Sequence, residues 1–171
     1  MRNLILYIIL SSLLSCHSPG KKEVNLLILK LSYLENSIQE INYQEISTAL
    51  EGYKENIDLV KKCVDSIDNK FIQKINNYKG IRKACPDFFN KYRVAIKNLE
   101  FQNNQLKDFK YDISNNIISL DSIPFFIELE ERNVQRISDD ILNLLELYNF
   151  IVSTNDSLYF PIKQYAEKQC L

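Results

Sequence analysis

Apolar residues recur along most of this chain at spacings of three and four. Val24, Leu27, Leu31, Leu34, Ile38 and Ile41 form one such stripe, the narrow apolar face of a helix packing on a neighbour. It predicts a helix over about 23–41. Asn42-Tyr43-Gln44-Glu45 then places a cap residue three positions ahead of a Glu, a variant capping box that marks a fresh helix start. A longer stripe follows at Ile46, Leu50, Tyr53, Ile57, Val60, Val64, Ile67, Phe71, Ile75 and Tyr78. It predicts one helix, or two nearly collinear ones, over 43–79.

Gly80 occupies the place of a left-handed cap, and Pro86 can start a helix but not continue one, so a turn is expected between 79 and 86. Beyond it Tyr92, Ile96, Leu99, Leu106, Ile113, Ile117 and Leu120 keep heptad register, with Asn103 and Lys110 at two seam positions unless Phe109 takes over that face. A second break runs from Asn115-Asn116 to Asp121-Ser122-Ile123-Pro124, where capping residues precede a proline. Val134, Ile137, Ile141, Leu144, Tyr148 and Ile151 renew the stripe, and Leu158, Ile162 and Tyr165 continue it. Pro161 predicts a kink or break near Thr154-Asn155-Asp156. The expected fold is all-α, an elongated antiparallel helical bundle. Its three long helices, 43–79, 81–117 and 121–157, would each span about 55 Å, joined by the shorter N-terminal helix and a C-terminal extension. The heptad stripes are read as the intramolecular core of that bundle, and the oligomeric state stays open.

The first sixteen residues follow a different rule. Met1-Arg2-Asn3 is a short positive start, Leu4–Leu14 is apolar except for Ser11 and Ser12, and Ser15-Cys16 ends the run. This is the pattern of a secretory signal, and it is too short for a bilayer span of roughly 20 apolar residues. Leu13-Leu14-Ser15-Cys16 resembles the lipobox of bacterial lipoproteins. The resemblance implies a signal peptide over 1–15 that is removed, with Cys16 as the first mature residue. Its sulfur would carry a diacylglyceryl group and its freed amine an acyl chain such as palmitate. A polar tether over 16–22 would lead to a bundle domain over 23–171. The partner so implied is a membrane, reached through a covalent lipid, and the location is the bacterial cell envelope, periplasmic or surface-exposed.

Composition narrows the functions. With 46% hydrophobic and 25% charged residues in 171, the chain is of the folding kind. Three glycines leave almost no supply for phosphate-cradling loops, and a net charge of −1 gives no footprint for nucleic acid. The single histidine, His17, falls in the tether, so triads and Glu-x-x-His metal pairs have no material. We expect no enzyme activity, no cofactor and no metal. Residues 61–83 hold seven basic against two acidic side chains, and 112–158 nine acidic against two basic, read as complementary solvated faces.

Three cysteines remain past Cys16: Cys63, Cys85 and Cys170. An exported protein favours pairing, yet a turn at Gly80 would leave Cys63 and Cys85 offset by about 18 Å along the helices. A Cys63–Cys85 disulfide therefore requires the chain to reverse at Asp65-Ser66-Ile67-Asp68-Asn69, with 70–79 a short helix of its own; Cys170 is the alternative partner of either. Three aromatic pairs, Phe88-Phe89, Phe125-Phe126 and Tyr159-Phe160, fall near expected helix ends. Phe125 and Phe126 are the candidate partner patch. The functional expectation is a non-enzymatic lipoprotein that presents its bundle to a protein partner. The alternative is an inhibitor or immunity-type lipoprotein that occludes an enzyme.

Overall fold

Capping side chains mark two of the helix starts in this chain. A computed structural model describes residues 20–170. Helix α1 spans Lys21–Gln39, α2 Tyr43–Cys63, α3 Asn69–Ser114 and α4 Ile123–Gln169, with a 3₁₀ turn at Leu120–Ser122. The protein is all-α, a helical bundle. The expected signal peptide over 1–15, Cys16 and His17 lie outside the described residues.

The start of α2 is the one the sequence predicts. Asn42 is extended, and its side chain accepts the Glu45 backbone N–H at 3.2 Å, satisfying a donor the first turn leaves free. The break after α2, by contrast, falls at 64–68 and not at 79–86. Asp68 Oδ1 accepts the Phe71 N–H at 2.8 Å and so caps α3. The end of α3 is a Schellman turn: Asn116 takes a left-handed φ of 54°, Ile117 N–H donates to the Asp112 carbonyl at 2.9 Å, and Asn116 N–H to that of Ile113 at 3.4 Å.

Two expected breaks are absent, and packing explains both. Helix α3 runs through Gly80 and Pro86 because its core face does: Phe71, Ile75, Tyr78, Ile81, Cys85 and Phe88 are all buried at spacings of three and four. Pro86 and Arg82 are exposed, so the carbonyl that loses its donor lies on the wet side, which lowers the cost of a proline inside a helix. Gly80 is not a cap. A Cβ there would stand 2.8 Å from Phe150 Cζ, so its bare backbone receives a ring from α4. Helix α4 likewise runs past Thr154-Asn155-Asp156 and Pro161, with Ile151, Ile162 and Ala166 buried along one face.

The chain divides into two compact units. The first combines α1 up to Tyr33 with Leu99–Arg136. In it α4 runs antiparallel to α3, as Gln102 meets Glu130 and Phe109 meets Phe126. It runs parallel to α1, as Gly20 lies beside Ile123 and Lys30 Nζ donates to Gln135 Oε1. Val24, Leu27, Leu31, Leu106, Ile113, Ile123 and Val134 form the core. Of the heptad positions expected here Leu99, Leu106 and Ile113 are buried, whereas Ile117 and Leu120 are exposed and Phe109 has taken over the face.

The second unit combines Leu34–Asn98 with the described residues from Ile137 onward. Here α4 is antiparallel to α3, with Phe88 near Tyr148 and Phe71 stacked on Tyr165 at 3.7 Å. It is parallel to α2, whose Glu45, Gly52 and Cys63 meet Tyr148, Tyr159 and Cys170 in the same order. Ion pairs such as Lys91–Asp87 and Arg132–Glu128 lie along single helices and are exposed, so each adds only a few tenths of a kcal/mol, ~0.3.

Candidate functional site

The candidate patch begins at the first turn of α4. Phe125 is 61% exposed, while Phe126 is half-buried and packs its ring on Phe109 at 6.0 Å. The two rings meet edge to face at 5.5 Å, so the patch presents one ring outward and uses the other to fasten it to α3. The remaining pairs divide the same way. Phe88 is fully buried beside a half-buried Phe89, and Phe160 is 64% exposed beside a half-buried Tyr159.

Phe89 belongs to a second candidate surface, which sequence patterning did not assemble. Tyr43, the first residue of α2, lies 5.1 Å from Phe89 and 5.2 Å from Tyr92, ring to ring. With Pro86, Asn90, Arg93 and Ile96 of α3 they line a cleft of about 590 Å³ within the second unit. Arg93 Nη2 donates to Asn90 Oδ1 at 3.1 Å, which leaves much of its guanidinium fork facing outward. Ring faces, a guanidinium and an amide recognise a partner by stacking and hydrogen bonding, and aromatic and Arg side chains dominate the energetics of protein interfaces. The Phe88-Phe89 pair was the signal in the sequence. The capping of α2, which sets Tyr43 against α3, completes the cleft.

Beside the cleft, Tyr148 donates its hydroxyl to Glu45 Oε2 at 2.5 Å. That bond raises the pKa of the phenol, and burial adds to the effect. Deeper in the unit the Asn56 amide, 2% exposed, donates to the Tyr159 carbonyl at 2.9 Å and reaches the Tyr78 hydroxyl at 3.5 Å. Burial pushes Tyr78 up to about 12, with the Asn56 hydrogen bond partly opposing it. In the first unit Glu130, 4% exposed, accepts hydrogen bonds from the amides of Gln102 and Gln105, the latter at 2.6 Å. Gln102, not Asn103, is therefore the polar residue buried in the α3 seam.

The cysteines do not pair as Cys63–Cys85. Cys63 is joined to Cys170, with Cα atoms 4.8 Å apart, and Cys85 is a buried free thiol. The chain does turn at 64–68, but the second condition fails. Residues 70–79 are part of the 46-residue α3, which carries Cys85 about 24 Å beyond its first residue. The parallel course of α4 beside α2 brings Cys170 in its place. Burial lifts the Cys85 thiol to about 11, with Lys54 drawing it slightly back.

Among the described residues no group of three or more His, Cys, Asp or Glu is placed to hold a metal ion. None of their helices is long and apolar enough to cross a membrane. No known protein family, curated protein or solved structure matches this chain.

Proposed function

We propose that this chain is a bacterial lipoprotein, anchored in the cell envelope through a lipid on Cys16, that binds a protein partner without catalysis. The observation that carries the anchor is the Leu13-Leu14-Ser15-Cys16 sequence behind an eleven-residue apolar run. Helical folding begins at Lys21, so the bundle starts within a few residues of the lipid. A single histidine and three glycines support a binding role over a catalytic one. The cleft of Tyr43, Phe89, Tyr92 and Arg93 is the surface best suited to a partner.

Two measurements test the reading. Cells fed radiolabelled palmitate should label the wild-type protein and not Cys16→Ala, and the variant should leave the membrane fraction. An unlabelled wild-type protein would refute the anchor. A photo-crosslinking amino acid at Phe89 should then yield a discrete adduct that Arg93→Ala weakens, and no adduct in living cells would refute the cleft. If the adduct is an enzyme whose activity falls on binding, the protein is an inhibitor-type lipoprotein.

A further inference from the structure

Exposed apolar side chains are not spread evenly over this protein. Seven large ones are more than three-fifths exposed among the described residues, and four of these, Tyr111, Ile117, Leu120 and Phe125, fall between positions 111 and 125. They surround the turn that joins α3 to α4 in the first unit. Solvent exposure of such a cluster is costly unless something covers it.

The place where the described chain begins identifies that cover. Gly20 is buried at the same end of the unit: a Cβ there would meet Ile123 of α4 at 2.5 Å, Ile127 at 3.3 Å and Ile113 of α3 at 3.4 Å. Cys16 lies four residues earlier, a stretch that reaches at most about 14 Å when fully extended. A lipid on Cys16 therefore holds this end of the unit close to the bilayer surface. We infer that the turn bearing Ile117 and Leu120, together with Phe125 and Tyr111, is a membrane-contacting tip that enters the interfacial layer of the bilayer holding the anchor. This rests on the reading of Cys16 as lipidated.

The side-chain chemistry fits the interface. Leu, Ile and Phe supply the apolar area, and Tyr favours the headgroup level, where its ring is covered and its hydroxyl is wet. Lys21 and Lys22 at the start of α1 and Lys110 on α3 are balanced by Glu23, Asp112 and Asp121, so the contact is apolar more than electrostatic and should change little with salt. The tip would act as a second fastening beside the lipid, fixing the orientation of the first unit on the membrane.

The chain contains no tryptophan, so one introduced indole reports alone. The lipidated mature protein carrying Phe125→Trp, and separately Leu120→Trp, would be reconstituted into phosphatidylcholine vesicles with brominated acyl chains. Phe101→Trp is the control, because Phe101 is 67% exposed on α3 and twelve residues before Ile113, about 18 Å along the helix. Emission at 125 and 120 should be roughly halved relative to unbrominated vesicles, and emission at 101 unchanged. Vesicle-bound protein with all three indoles unquenched would overturn the inference while leaving the anchor intact, and would return Phe125 to a protein partner. Protein isolated from the producing cells with no acyl group on Cys16 would overturn the anchor reading, and this inference with it.

Discussion

Cys63 at the end of α2 is bonded to Cys170 just past α4, across 107 residues of sequence. The bond fastens the last turn of a 47-residue helix that would otherwise fray. Closing so long a loop restricts the unfolded chain, and removal should cost about 2–4 kcal/mol. Urea unfolding of Cys170→Ser, or of the wild type with reductant, should show the midpoint fall. Peptide mapping without reduction should recover the Cys63 and Cys170 peptides joined and the Cys85 peptide alone.

The Cys85 thiol should resist aqueous thiol reagents in the folded protein and react on unfolding, because burial keeps it protonated until about 11 against an ordinary 9.0. Between those values the unfolded chain releases a proton that the folded one retains. The stabilisation is therefore full below pH 9 and is lost as pH rises toward 11. Tyr78 acts in the same sense between 10.0 and about 12. The urea midpoint should fall from pH 8.5 to 10.5, and less steeply in Cys85→Ala.

Glu130 satisfies two side-chain amides from α3. Glu130→Ala would leave the buried Gln102 amide without that acceptor and should destabilise the protein by roughly 3 kcal/mol. Glu130→Gln should cost less, since an amide flip at Gln102 restores one bond. Gln102→Leu with Glu130→Leu should be closer to neutral than Glu130→Ala alone, because no polar partner is then stranded. Thermal melts of the four proteins decide the order.

Gly20 has φ of +91° and no room for a Cβ beside Ile123, so Gly20→Ala should cost about 1–2 kcal/mol. Gly80→Ala should be nearly neutral. The gain in helix propensity, about 1 kcal/mol, offsets displacing the half-exposed Phe150 ring, whose outer end makes the approach. Equal melting shifts for the two variants would contradict this.

Under the proposed reading, a first unit held by both lipid and tip would present its remaining faces to a partner in a set direction.

The helical class, the start of α2 and the break at 115–122 were legible in the residues, because apolar spacing and capping chemistry are local and act within one or two turns. The stripe could not show the break at 64–68, since Val64 and Ile67 keep the spacing although they lie in the turn and Ile67 is 40% exposed. Nor could it show that Gly80 and Pro86 lie inside a helix. Both are local signals for a stop, outweighed by a core face that continues from Tyr78 to Phe88 and, at Gly80, by a ring from α4 packed on the bare backbone. The Tyr43 cleft depends on α2 folding back along α3, and the cysteine pairing and the placing of Gly20 beside Ile123 depend on which helices run parallel to α4. That order is a property of packing between segments more than a hundred residues apart, and no local pattern carries it.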